Sequence, residues 1–371
     1  MLLLITTILA VQNAPPIVSP EVHEDRRVTF RLRAPKAQEV KVSGPELRGP
    51  LGGPSKAMEK DEKGLWSVTV GPVEPGIYDY GFDVDGLRIT DPSSEHVFGN
   101  RRGSRGFLEV PGPKGSPRHD EWRDVPHGSV TAHWYASAVA GGARRRVHVY
   151  APPGYAKEKD RKYPVLYLLH GSGDDDSHWT QLGRAHVIAD NLIADGKAAP
   201  MLIVMTDGHV SVPAKEGEEA EARRARTAGA FERDLLDSVV PLVEAEYRVN
   251  AARDARGIVG LSMGGGQSLG TGLRNVDRFA WVGGFSASTR GWEKGVPGMT
   301  ADAARLNADL KLLWIAIGKE DFLLDQNRKF EAWLKESGVK HAYQETEGLH
   351  AWGVWRRYLA EFLPLLFKAR D

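Results

Sequence analysis

The stretch Gly260-Leu261-Ser262-Met263-Gly264, extended by Gly265 and Gly266, puts a serine where the chain has to change direction. Arg256-Gly257-Ile258-Val259 before it reads as a short buried strand, and Gln267-Ser268-Leu269-Gly270 after it continues as a helix. A strand, a sharp turn and a helix in succession force the serine out of regular geometry. Glycines two residues before and after it remove the side chains that would collide in such a turn, and leave the hydroxyl free to meet a histidine and an ester carbonyl. Gly-x-Ser-x-Gly alone is a weak signal. Its weight depends on what the rest of the chain places around it.

The 371 residues leave room for a full core and an accessory module, so two domains are expected. Acidic and basic residues balance at 49 each, and no global field favours nucleic acid or an anionic membrane. The run Glu216 to Arg226 mixes both signs and reads as a solvated helix face. There is no cysteine, which excludes thiol catalysis, cysteine-ligated zinc and disulfides together. No pair of histidines has metal-site spacing, so neither a metal nor a cofactor is expected.

The apolar run Leu2 to Val11 is too short to span a bilayer and is followed by the polar, proline-containing Gln12 to Pro20. Residues 1–20 read as a signal peptide and leader, cleaved near Ala10 or Ala14, although no Lys or Arg precedes the apolar run. The expected location is secreted or periplasmic, with no membrane span.

Period-two alternation then takes over: Val28, Phe30 and Leu32; Val40 and Val42; Trp66, Val68 and Val70; Tyr78, Tyr80, Phe82 and Val84. Asp85-Gly86 signals a hairpin turn, and Phe107 to Val110 can close the module. Residues 21–110 therefore predict a small all-β, immunoglobulin-like sandwich. Pro111-Gly112-Pro113-Lys114-Gly115-Ser116-Pro117 cannot propagate helix or ladder, and 111–128 reads as a linker.

From Ser129 to the end of the chain, strand-like and helix-like segments alternate. Val165 to Leu169, Met201 to Met205 and Leu312 to Ile317 are continuous apolar runs, which suit strands covered on both faces. Phe231, Leu235, Val239, Leu242 and Val243 follow helical spacing. The order predicts an α/β domain over 129–371, with a doubly wound, mostly parallel sheet. Functional groups on such a sheet collect at the carboxyl ends of its strands.

His170-Gly171-Ser172-Gly173 follows directly on the run ending at Leu169, the position of an oxyanion loop in an α/β-hydrolase. The candidate donors are the backbone amides of Ser172 and Met263; His170 reads as a loop-forming residue. In the chain order serine, acid, histidine, an acid should follow the next long strand. Gly318-Lys319-Glu320-Asp321 does so, and Glu320, Asp321 and Asp325 all compete for the role. Glu347-Gly348-Leu349-His350 puts His350 on a loop from which it can reach the serine, whereas His341 lies at the opposite end of its strand. Trp179 and Trp352 flank the proposed centre in sequence and could hold a sugar or phenolic ring.

These stretches give the chain from about Ser129 to Leu366 a specific resemblance. With His133 to Pro153, Tyr167-Leu168-Leu169-His170-Gly171, Phe231-Glu232-Arg233-Asp234-Leu235-Leu236, Gly260 to Gln267, Gly318 to Asp321, and Gly348-Leu349-His350 with Trp352 and Trp355, it resembles the esterase D-like α/β-hydrolases. Within them it is most similar to the feruloyl and acetyl-xylan esterases of carbohydrate esterase family one. The resemblance aligns Asp321 as the acid, and so implies Ser262, Asp321 and His350 as the catalytic residues, an acyl-serine intermediate and an ester-substituted polysaccharide as substrate. Val28 to Leu32, Gly76 to Phe82 and Val84-Asp85-Gly86 leading to Asp91-Pro92 resemble an early-set, glycogen-binding-like module. Ser43 to Met58, where carbohydrate-binding members carry aromatic residues, has none, which favours a structural or active-site-shaping role. Two other readings share the fold: a siderophore esterase of the enterochelin type, and a polysaccharide-binding protein that has lost activity.

Overall fold

The computed structural model describes residues 16–101, 103–113, 115–297 and 302–367. Residues 1–15 of the expected leader lie outside the described residues. No helix among the described residues is long and apolar enough to cross a membrane. The chain divides into two compact units between Ser116 and Pro117.

The first unit contains two antiparallel sheets. One pairs Glu21–Val22, Val28–Arg33, Leu65–Val70 and Glu59–Lys60 in that order; the other pairs Ser55–Ala57, Val40–Ser43, Gly76–Val84, Gly103–Val110 and Val97–Asn100, with Leu87–Ile89 added beside Gly76–Val84. The alternation seen in the sequence delivers one apolar set to the interior. Val28, Phe30, Leu32, Val40, Val42, Trp66, Tyr80, Phe82 and Leu108 meet in a single core. Burying a side chain such as Phe30, which is fully covered, contributes about 2–3 kcal/mol. Asp85 and Gly86 both take positive φ, 50° and 86°, as a two-residue hairpin turn of this type requires.

The second unit is built on an eight-stranded sheet: β1 (Ser129–Ser137), β2 (Ala143–Ala151), β3 (Val165–Leu169), β4 (Leu202–Thr206), β5 (Arg256–Gly260), β6 (Trp281–Phe285), β7 (Leu312–Gly318) and β8 (Ala342–Thr346). Their spatial order is β1-β2-β4-β3-β5-β6-β7-β8; β2 runs antiparallel to its neighbours and β3 to β8 are all parallel. Successive side chains of β3 enter two different cores. Val165, Tyr167 and Leu169 join α2 (Val240–Glu246), α3 (Ser262–Arg274) and α4 (Leu324–Glu336), whereas Leu166 and Leu168 join α1 (Ala185–Ala194) and α5 (Trp352–Phe362). The continuous apolar runs are thus the strands covered on both faces.

Two features depart from the sequence reading. β6, Trp281-Val282-Gly283-Gly284-Phe285, is not among the apolar runs picked out in the sequence, and it carries two glycines. They are there for clearance: a Cβ on Gly283 would lie 2.8 Å from Val259 Cγ2, and one on Gly284 2.8 Å from Leu269 Cδ1. Second, the expected linker ends early. Residues 117–128 belong to the second unit, where Asp120 pairs with Arg356 of α5 at 2.7 Å and the Gly128 amide donates to Asp190.

Candidate active site

Because β3, β5, β7 and β8 are parallel, the loops that follow them emerge at one edge of the sheet. Ser262 opens α3 immediately after β5 with φ at 53°, a strained value for a side-chain-bearing residue. The surrounding glycines explain how this turn closes. A Cβ on Gly260 would sit 2.5 Å from the Gly264 carbonyl oxygen, and one on Gly264 would sit 2.3 Å from the His170 carbonyl oxygen. The Ser262 carbonyl in turn accepts the Ser288 amide at 2.9 Å.

His350 Nε2 lies 3.0 Å from Ser262 Oγ, and His350 Nδ1 lies 2.8 Å from Asp321 Oδ2. The Asp321 side chain is fully buried, and its other oxygen accepts the Leu323 amide at 2.8 Å. A carboxylate at Nδ1 holds the proton on that nitrogen, leaving Nε2 to accept from the serine hydroxyl. Ser262, His350 and Asp321 therefore stand in hydrogen-bonding sequence.

The competing acids have other positions. Glu320 Oε2 accepts the Gly348 amide at 2.5 Å and so fastens the histidine loop. Gly318 lets that loop come close, since a Cβ there would fall 1.9 Å from the Gly348 carbonyl oxygen. Asp325 lies in the first turn of α4. His170 is buried; its Nε2 accepts the Gly208 amide and its Nδ1 donates to the Gly171 carbonyl, so it is a loop-forming residue.

The structure brings the two candidate oxyanion segments together. A Cβ on Gly171 would lie 3.5 Å from Ser262 Cβ, which sets the Ser172 loop alongside the serine. The Met263 amide belongs to the first turn of α3 and has no intrahelical acceptor. Asp175 and Asp176, which follow the loop, are committed to protein partners; Asp175 accepts from the Ser177 amide at 2.8 Å and hydroxyl at 2.6 Å. Burial pushes the Asp176 carboxyl up, but His148 and Arg146, bonded at 2.7 and 2.8 Å, outweigh it and hold the group below the usual carboxylate range.

The two tryptophans separate. Trp179 is 1% exposed and its indole N–H donates to the Leu169 carbonyl at 3.0 Å, so it is a core residue under β3 and not a substrate contact. Trp352 is half-buried, edge-on between Trp179 and Trp355. The sequence reading missed Phe322, which is 75% exposed with its ring centroid 4.5 Å from that of His350. Its position next to Asp321 was the available signal. Beside Met263 opens a cleft of about 440 Å³, lined among others by Phe231, Glu232, Gln267, Arg274, Ser288 and Trp292.

Among the relatives of this chain is an endo-1,4-beta-xylanase/feruloyl esterase of Xylanibacter ruminicola, 32% identical over 363 residues. The alignment takes in 96% of this chain but 47% of that protein, so the chain spans about half the length of this relative. A solved ferulic acid esterase is 28% identical with a TM-score of 0.54, covering 64% of this chain and 96% of its own. The enterobactin esterase of Shigella flexneri, 18% identical with a TM-score of 0.63 over 91% of this chain and 92% of its own, shares the fold. The Esterase family model matches residues 138–366, a span that holds the serine turn, the acid and the histidine; the chain belongs to the Esterase family.

Proposed function

We propose that the chain is a serine carboxylic-ester hydrolase that releases feruloyl or acetyl groups from plant cell-wall xylan. The observation that carries the reading is the hydrogen-bonded sequence from Ser262 Oγ through His350 to Asp321, on a serine held at positive φ. His350 takes the Ser262 proton as the oxygen attacks the ester carbonyl, and the Asp321 carboxylate stabilises the imidazolium that forms. The Ser172 and Met263 amides receive the developing oxyanion. The imidazolium then protonates the leaving alcohol, and water, activated by the same histidine, releases the acid from the acyl-serine.

The substrate class is supported by the chain's similarity to the xylanase/feruloyl esterase and to the ferulic acid esterase. The cleft beside Met263 supports it as well, with Phe231 and Trp292 offering apolar surface. A catecholate trilactone would call for surplus cations. Among the described residues lining the cleft the one cation, Arg274, is bonded to Glu232 at 2.9 Å. On the same footing we take residues 21–110 as an early-set module with a structural role, supported by its two antiparallel sheets around one core. The apolar leader supports export.

The test is hydrolysis of methyl ferulate, acetylated xylan and a catecholate lactone by the wild type and Ser262→Ala. Release of ferulate or acetate by the wild type alone is expected. Equal turnover by Ser262→Ala would remove the serine mechanism, and preference for the lactone would remove the xylan reading.

A further inference from the structure

The loop after β4, Asp207-Gly208-His209, contributes no member of the serine-histidine-acid set, yet three parts of the site are fastened to it. The Gly208 amide donates to His170 Nε2 at 2.8 Å, and the Gly173 amide donates to His209 Nε2 at 3.0 Å. Gln267 Nε2, one turn into α3 from the serine, donates to the Gly208 carbonyl at 2.9 Å. The loop is itself held from β2. Arg145 Nη1 donates to the His209 carbonyl at 2.8 Å and Nη2 to the Asp207 carbonyl at 2.5 Å, while Nε donates to Asp234 Oδ2 at 3.0 Å. Asp234 is fixed in turn by the Tyr135 hydroxyl at 2.7 Å. The Arg145 and Asp234 side chains are 9% and 2% exposed, so the guanidinium fork works away from water.

One covalent fact links this scaffold to the oxyanion. His170 Nδ1–H donates to the Gly171 carbonyl at 2.7 Å, and that carbonyl shares a planar trans peptide with the Ser172 N–H. In such a unit the C=O and N–H point in opposite directions, so holding the Gly171 oxygen sets the direction of the Ser172 amide. His170 can hold it in one orientation because its far nitrogen is occupied by Gly208, and Gly208 stands where the Arg145 fork places it.

We propose that Arg145, braced by Asp234, is a positioning residue for the Ser172 amide, acting through the 207–209 loop and the rings of His170 and His209. The proposal rests on the esterase reading for its catalytic consequence, and on geometry alone for its structural one. Arg145 touches no reacting atom. What it supplies is two fixed carbonyls, a geometry that a lysine ammonium on a flexible stem does not reproduce.

The experiment uses the full chain with Arg145→Met, Arg145→Lys and His209→Phe. For each, kcat and KM on 4-nitrophenyl acetate are measured with the affinity for a trifluoromethyl ketone, whose adduct carries an oxyanion. Hydrogen exchange of residues 170–174 is followed in parallel. Arg145→Met should lower kcat and ketone affinity together by about tenfold, short of the roughly 10²–10³-fold associated with deleting an oxyanion donor, with KM within about twofold. Arg145→Lys should recover part of the loss, and His209→Phe should resemble Arg145→Met. Exchange at 170–174 should quicken while that of β5 and β7 stays unchanged. Unchanged kcat with unchanged exchange, or exchange that rises equally across the sheet, overturns the proposal. Should the wild type hydrolyse no ester, the esterase reading falls, and the exchange pattern still decides whether Arg145 orders the loop. If Arg145→Met does not fold, the other two variants decide it.

Discussion

The indole of Trp355 meets the ring of His350 edge-on, at 87° with 4.9 Å between centroids, while its N–H donates to Ser286 Oγ at 3.1 Å. Ser286 is fully buried at the end of β6 with φ at 46°, so the hydrogen bond ties the helix after the histidine loop to a rigid strand end. A ring fixed on one face and a carboxylate on one nitrogen leave His350 little freedom to turn away from Ser262. Trp355→Phe keeps the aromatic edge and deletes the hydrogen bond. We expect kcat to fall by about tenfold, below the roughly 10²-fold cost of a 1 Å misplacement, with about 1 kcal/mol of stability lost. Kinetics and thermal unfolding of the variant check this, and an unchanged kcat would show that the carboxylate alone orients the ring.

Asp321→Asn separates charge from packing. The amide fills the same buried volume and can still accept from the Leu323 amide, but it cannot both hold the Nδ1 proton and stabilise an imidazolium. By analogy with the loss of the acid in other triads, kcat should fall by about 10³–10⁴-fold with little change in KM. A loss below tenfold would mean that a neighbouring acid takes over, and Glu320→Gln in the same background would identify it.

What the sequence made legible follows from periodicity. Ser262 and His350 could be placed because each follows a strand-like segment, whereas only the family resemblance separates Asp321 from Glu320 and Asp325; glycines at 260, 264 and 318 mark where backbones approach. Depth was not legible. Trp179 and Phe322 are both aromatic residues near the site in sequence, yet one is 1% and the other 75% exposed, because neither a single helical turn (His178–Gln181) nor a loop is long enough for a period that says which way it faces. Partners distant in sequence were invisible for a similar reason. The proline- and glycine-rich run around 111–117 suggested a linker up to 128, whereas Asp120 is fixed by Arg356, and nothing local to either residue announces the other. β6 escaped notice because its glycines serve packing between layers, not a turn.

Phe322 offers a test of substrate binding apart from catalysis. Its exposed ring beside His350 adds little to the core, so Phe322→Ala should shift stability by less than about 0.5 kcal/mol. If the ring lies against a sugar or phenolic group, KM for feruloylated oligosaccharide should rise by about fivefold or more, as expected for the loss of about 1 kcal/mol of aromatic contact. Turnover of 4-nitrophenyl acetate, which is too small to span that surface, should change less than twofold. Equal effects on both substrates would move Phe322 from substrate contact to support of the histidine.

Asp120 makes stability depend on pH. Burial pushes its carboxyl up, but Arg356 and then Arg118 outweigh burial and hold it below the usual carboxylate value. A group whose folded pKa lies below its unfolded one contributes stability that is full above the unfolded value, about 3.9, and that is lost as the pH falls through the folded value. The partner makes the pair costly to break, because the Arg356 side chain is 3% exposed and would be left with a buried charge. Asp120→Asn should therefore cost about 3–5 kcal/mol at pH 7, the range for a buried pair that loses one member. The difference from wild type should begin to shrink as the pH falls below about 4, where the unfolded chain takes up the proton, and should go on shrinking until the pH passes below the depressed folded value. Denaturant unfolding of both proteins at pH 7 and in the acid range measures the two gaps. A gap of the same size at both would assign the loss to packing around the 117–128 segment, and the ion pair with Arg356 would no longer account for how the helix behind His350 is held.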